Sequence, residues 1–287
     1  MPTRDGLLVA RHENEISDTT DVAAHPEFAA RRSSKVIDGA AFTGWFTEDF
    51  TLTELKTLRA RERLPELRPG NTAYDGRFEI PSLADIIALA QAESARTGRP
   101  IGIYPETKHP SYFAGIGLPL EAALVAQLHT AGYAGRDAPI FIQSFEVDNL
   151  RALRGLTDLP LIQLIGDSAP ADASGLRYDD MLAPSGLAAI AEYADGIGPA
   201  KERIVPRDDD GHLLPPTMLI ADAHAAGLLV HPWTFRSENA FLPGDCRTGS
   251  DPAAHGDAAA EYRQFFKLGV DGVFSDYPAA AVAARAV

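Results

Sequence analysis

The sequence predicts an α/β chain built as a TIM (β/α)8 barrel, and three observations predict it. Short apolar segments alternate with helical patterns, as parallel strands joined by helical crossovers require. Several of these segments run straight into polar residues: Glu106 and Lys108, Gln143, Gln163, His231 with Trp233, and Asp276. Polar residues at the carboxyl ends of successive strands are how a barrel presents its active face. No glycine-rich fingerprint follows the first strand, which weighs against a doubly wound, dinucleotide-binding sheet.

The elements follow in order. Residues 6–11 form a short strand behind the Asp5-Gly6 turn, a strong hairpin signal. A polar, irregular segment runs through Lys35. Residues 52–60 form a short helix capped by Thr51 or Thr53. Ser82 caps a helix that carries Leu83, Ile86, Ile87 and Ala90 and ends near Gly98. From there strands are expected at 101–104, 140–142, 159–164, 196–197, 228–231 and 272–274. Helices are expected at 118–131, 147–153, 184–193, 216–226, 258–268 and 279–285, three of them stopped by Gly132, Gly227 and Gly269. These six strands fall two short of a closed barrel of eight.

Composition bounds the function. The chain has 287 residues, 45% hydrophobic and 23% charged, which excludes disorder, collagen and coiled coil. Lys and Arg number 26 against 40 Asp and Glu, a net charge of −14. Such a chain is no nucleic-acid binder, although one phosphate in a locally positive, metal-containing pocket is still compatible. Cys246 is the single cysteine, so neither an intrachain disulfide nor a zinc–cysteine cluster can form. No apolar run approaches the ~20 residues of a membrane span. The opening Met-Pro-Thr-Arg-Asp-Gly is not a signal peptide, which taken alone points to the cytoplasm.

Chemistry concentrates in Tyr104-Pro105-Glu106-Thr107-Lys108-His109-Pro110. In extended chain Glu106 and Lys108 point to one side. A carboxylate suits a hard cation and a lysine suits phosphate; a surface ion pair is the competing account. His12, in Arg11-His12-Glu13-Asn14-Glu15, is a candidate acid or base or an exposed histidine in a polar turn. Glu13 and Glu15 read as solvated charges, with extra ligands as the competing account. Gln143 ends a buried strand as a pocket wall or a catalytic amide. Trp233 and Phe235 line a pocket or pack in the core. Asp276 reads as the cap of the last helix.

Seven stretches then stand in a familiar order: TRDGLLVARHENEISDTTDVA, GWFTEDFTLTELKTLRARERLP, FEIPSLADII, IGIYPETKHPSYF, FIQSFEVDNLRAL, GLLVHPWTFRSENAFLP and GVDGVFSDYP. The chain resembles the bacterial glycerophosphodiester phosphodiesterases of the periplasmic type, over nearly its whole length. The resemblance implies a single TIM-barrel domain over 1–287, with a small insertion around 13–80. It implies a catalytic histidine at His12, where the family usually has Asp next and this chain has Glu13. It implies a metal-ligand glutamate at Glu106, a phosphate-contacting lysine at Lys108, and pocket positions at Gln143, Trp233 and Phe235. The implied reaction is metal-assisted hydrolysis of a glycerophosphodiester to glycerol 3-phosphate and an alcohol. The implied cofactor is a divalent ion, Ca²⁺ or Mg²⁺, held by three carboxylates.

The chain departs from the family in having neither the opening His-Arg-Gly strand nor the Glu-x-Asp strand. The difference is on the order of 50 residues at ~30 per βα unit, in accord with the strand count. Met1 is therefore expected to be a false start. The chain as written is expected to be inactive or weakly active, or a degenerate, non-enzymatic phosphoester-binding barrel. The parent protein is expected in the periplasm.

Overall fold

Ser82 and Asp85 mark the clearest helix start in the chain. Ser82 Oγ accepts from the Asp85 N–H at 3.2 Å, and an Asp85 carboxylate oxygen accepts from the Ser82 N–H at 2.8 Å. This reciprocal pair satisfies two backbone donors that the first turn leaves open. Leu83–Thr97 follows as a helix, and Gly98 closes it with φ of 65°.

The computed structural model describes residues 1–286. They divide into two compact units: Met1–Pro160 with Ala171–Ala173, and Leu161–Pro170 with Ser174 onward. In chain order the first contains β1 (Ser33–Ile37), β2 (Ala40–Gly44), α1 (Leu52–Leu55), α2 (Leu83–Thr97), α3 (Pro110–Gly115), α4 (Glu121–Thr130), β3 (Ile142–Ser144) and α5 (Val147–Arg154). The second contains β4 (Leu161–Ile165), α6 (Tyr178–Met181), α7 (Pro184–Ile190), β5 (Gly196–Pro199), α8 (Leu219–Ala225), β6 (Leu229–Val230), α9 (Ala258–Leu268) and α10 (Pro278–Arg285).

In the first unit, β1 and β2 pair antiparallel, with Ile37 opposite Ala40 across Asp38-Gly39. Both turn residues have positive φ, 50° and 81°. A two-residue primed turn needs that, and Asp-Gly is a dipeptide that supplies it. The expectation of an irregular segment up to Lys35 misses the start of this hairpin. Ile16, Val22, Phe46, Phe50, Leu55 and Leu58, from the segments on either side of the hairpin, are fully buried.

The strand expected at 6–11 does not form. Thr3 Oγ1 donates to Asp5 at 2.6 Å and accepts from the Leu7 N–H at 3.0 Å, so the chain turns back at once. What is left is two isolated bridges, Pro2 with Leu8 and Val9 with Ser82. The strand expected at 101–104 likewise reduces to parallel bridges, Ile103 with Ile140 and Glu106 with Gln143. Pro100 and Pro105 flank it, and proline cannot donate to a ladder.

In the second unit β4, β5 and β6 form parallel ladders in that order. β4 starts at Leu161 and not at Leu159, because Pro160 has no N–H to give. Gly196 and Gly198 let β5 lie close to its neighbours: a Cβ on Gly196 would stand 2.7 Å from Leu229 O. The strand expected at 272–274 is represented by one parallel bridge, Phe235 with Ser275. Asp276 does not cap α10, whose N-cap Tyr277 has no side-chain cap bond; its carboxylate accepts from Arg236 Nε at 2.9 Å. Among the described residues no helix is long and apolar enough to cross a membrane.

Replacing Ser82 by Ala removes one half of the cap. Urea unfolding should show a loss of about 1 kcal/mol, and an unchanged midpoint would show that the cap contributes nothing.

Candidate active site

The site grows from the bridge between Glu106 and Gln143. The Gln143 N–H donates to Pro105 O at 2.9 Å, and the Thr107 N–H to Gln143 O at 3.0 Å. Thr107 turns inward, its hydroxyl donating to Asn149 of α5 at 2.6 Å. Alternation then sends Glu106 and Lys108 to the other side, and Lys108 Nζ lies 3.5 Å from Glu106 Oε1. Lys108 also sits over the Phe145 ring at 5.5 Å, largely shielded from water. The ion pair between Glu106 and Lys108 is therefore part of a built surface and not a loose contact.

Glu13 joins this pair to His12. His12 Nδ1 stands 2.8 Å from Glu13 Oε1, and Lys108 Nζ 3.7 Å from the same oxygen. The other oxygen of Glu13 takes His109 Nε2 at 3.1 Å, and His109 Nδ1 meets Asp38 at 2.5 Å. Burial alone would raise the Glu13 carboxyl, but hydrogen bonds from His109 and His12 and the Lys108 charge hold it far below the usual carboxylate range. A carboxylate only accepts, so His12 donates from Nδ1, and in its neutral form the lone pair is on Nε2. Glu13, half exposed, thus bridges His12, Lys108 and His109 where the sequence suggested a solvated charge.

Two further carboxylates shape the same loop. Glu146 accepts from the Ser111 N–H at 3.1 Å and its hydroxyl at 3.0 Å, at the first turn of α3. Glu48, buried, accepts from Tyr112 of α3 at 2.7 Å, from Lys35 at 2.9 Å and from Asn14 at 3.1 Å. The helix after His109 is therefore tied both to the insertion and to the segment before α5.

The structure brings His12, Glu106, Lys108 and Gln143 together in the first unit. His12, Glu106 and Gln143 line one cavity of about 600 Å³, with Ile86, Leu120 and Leu124 on its apolar side. His12 also borders a cleft of about 400 Å³ with Arg11, Glu13, Phe42, Arg63 and His109. Trp233 and Phe235 belong to the second unit. Trp233 is partly buried and donates from Nε1 to Gly198 O at 2.7 Å. Phe235 is fully buried, stacked on Tyr262 and edge-on to Phe265, which is core packing. Sequence reasoning noted the His109 imidazole beside Glu106 and Lys108 but missed its partners, and it missed Asp38, Glu146 and the bonds of Glu13. An Asp-Gly turn was the one local signal for Asp38; His109 meets its carboxylates across 71 and 96 residues of chain.

A divalent ion would find two donors here. Glu106 Oε1 and Gln143 Oε1 are buried and accept no hydrogen bond, on segments that face each other in the bridge. Carboxylate and amide oxygens are what Ca²⁺ and Mg²⁺ take. Among the described residues no three His, Cys, Asp or Glu side chains are grouped to hold a metal. The two oxygens fit such an ion as part of its shell.

The titration of the site has a definite sign. Burial lowers the His109 pKa, but the bonds and charges of Asp38 and Glu13 outweigh it and push it up to about 9. Burial, aided by the charges of Asp38 and Asp172, raises Glu146 to about 7 against the opposing Ser111 bonds. Each folded value lies above its unfolded one, so each contribution is complete at low pH and fades as pH rises. For Glu146 the loss runs from about 4.5 to about 7; for His109 it runs from about 6.5 to about 9. Denaturant unfolding across this range should therefore show stability falling with pH. Glu146→Gln should flatten the lower window alone, and His109→Gln the upper alone; a profile that both variants leave unchanged would contradict the assignment.

With the geometry described, similarity to known proteins can be stated. The family model of the glycerophosphoryl diester phosphodiesterase family matches residues 2–280. The glycerophosphodiester phosphodiesterase GDPD6 of Arabidopsis thaliana is 37% identical over 291 residues, covering 96% of this chain and 74% of that protein. The glycerophosphodiester phosphodiesterase of Haemophilus influenzae is 27% identical over 305 residues, 96% of this chain and 77% of that one. In fold, the chain matches a solved protein from Silicibacter pomeroyi DSS-3 with a TM-score of 0.64 at 18% identity, covering 100% of this chain and 81% of the other. This likeness bears out an α/β fold of the TIM-barrel kind. By its sequence from residue 2 to residue 280, the chain belongs to the glycerophosphoryl diester phosphodiesterase family.

Proposed function

We propose that the chain hydrolyses glycerophosphodiesters to glycerol 3-phosphate and an alcohol, with His12 as the base. The observation that carries this reading is the sharing of Glu13 by His12 and Lys108. It sets a proton acceptor and a phosphate-binding cation on one carboxylate. His12 Nε2, in the neutral ring whose Nδ1–H serves Glu13, takes a proton from an attacking water. The hydroxide oxygen so formed bonds to phosphorus, the bond to the leaving alcohol oxygen breaks, and that oxygen takes up a proton from solvent to leave as the alcohol. Glu13 stabilises the imidazolium that results, as a carboxylate behind a catalytic histidine does. Lys108 supplies positive charge to the phosphoryl oxygens. Glu106 Oε1 and Gln143 Oε1 would hold a Ca²⁺ or Mg²⁺ ion, which when bound neutralises phosphate charge and lowers the pKa of a coordinated oxygen.

Of the two imidazoles in the described site, His12 alone has a ring nitrogen not engaged by a carboxylate, since both nitrogens of His109 are. Turnover without a second acid–base group is expected to run about 10²–10⁴ below that of a complete pair. Glycerol 3-phosphate released from glycerophosphocholine should be slow, dependent on Ca²⁺ or Mg²⁺, and abolished by a chelator. His12→Asn should lower it by about 10² or more, and Glu106→Gln should abolish the response to cation. Release that neither the chelator nor His12→Asn reduces would overturn the reading.

A further inference from the structure

His109 is placed with unusual care for a residue that touches no proposed reacting atom. Asp38 and His109 are the two non-glycine residues with positive φ among those described, at 50° and 49°. They bond to each other, across 71 residues of chain. A left-handed conformation is costly for a side chain with a Cβ, and such residues cluster where a site needs a fixed geometry. Asp38 comes to it through its hairpin turn. His109 does so between Lys108 and Pro110, at the start of α3.

The bonds give the reason. Both ring nitrogens of His109 face carboxylates, Asp38 at Nδ1 and Glu13 at Nε2. Carboxylates cannot donate, so the ring gives both protons and is an imidazolium. Its side chain is only 15% exposed, which keeps the bonds strong and the ring immobile. Glu13 itself is about half exposed and would otherwise sample several rotamers. With Oε2 held by His109, Oε1 stands where it meets Nδ1 of His12, whose own side chain is 82% exposed and has no burial to hold it. The row runs Asp38 negative, His109 positive, Glu13 negative, then the Nδ1 donor of His12.

We propose that His109 is a positioning residue, which pins Glu13 so that Glu13 holds the Nδ1 proton of His12 and leaves Nε2 unprotonated. Asp38 belongs to the same device, as the anchor of the far side of the ring. The role of His12 as base comes from the function proposed above; the control of its proton position does not depend on it.

Nitrogen-15 spectra of the histidine rings test this directly in the full chain. At about pH 8.5, above the usual imidazole range, wild-type His12 should show the Nδ1–H tautomer, its signals identified by their absence in His12→Asn. His109→Ala and Asp38→Ala should each lose that signature, with His12 moving to the Nε2–H form. His109→Arg, which restores a forked cation between the two carboxylates, should recover it at least in part. In turnover, His109→Ala should lower kcat by about 10–100-fold, the usual effect of a group behind the reacting residue, with KM changed far less. An unchanged His12 tautomer in folded His109→Ala and in folded Asp38→Ala would overturn the proposal. Should either variant unfold, Asp38→Asn preserves shape and carries the same expectation. A tautomer shift combined with turnover indifferent to His12→Asn would leave this positioning intact and defeat the catalytic reading alone.

Discussion

The carboxylate of Glu13 is the constraint on which the site depends. It takes His12, Lys108 and His109 on its two oxygens. Each of these cations or donors comes from a chain segment held by different means. His12 follows the isolated bridge at Val9; Lys108 follows the bridge at Glu106; His109 starts α3. None of the three segments forms a long ladder, so regular backbone hydrogen bonding alone does not fix their spacing. Charge does. A half-buried acid surrounded by three donors stays ionised across the physiological range, and its environment explains why.

The same logic extends outward. Glu48 and Glu146 both fasten the first turn of α3, one through Tyr112 and one through Ser111. Both are buried, and buried carboxylates are tolerated where donors surround them. Glu48 has four such donors from Asn14, Lys35, Tyr112 and Thr47. Glu146 has only the Ser111 pair and faces two other acids, which is why its proton is held so much more firmly than that of an ordinary glutamate.

Much of this was legible in the sequence, and the limits were physical. α9 spans the same residues that periodicity gave, because Asp257 and Gly269 bound it on both sides. Ser82 and Gly98 did the same for α2. The strands expected at 140–142, 159–164, 196–197 and 228–231 lie within a few residues of β3 to β6, whereas those at 6–11, 101–104 and 272–274 reduce to isolated bridges; Pro105 and Pro160 each remove one N–H from a ladder. Glu106 and Lys108 were legible because alternation in an extended chain is local. Glu13, His109 and Asp38 were not, because their meaning lies in contacts made across tens of residues. Phe235 showed the opposite failure: an aromatic at a strand end invites a pocket, and Tyr262 and Phe265 had already claimed it for the core.

The hairpin turn at Asp38-Gly39 has a wider consequence. Its strands lie far along the chain from the loop after Glu106, yet its tip reaches the histidine that holds Glu13. On the proposed reading, a clip or a displacement at this turn acts on His12 from a distance, because Asp38, His109, Glu13 and His12 are bonded in one row.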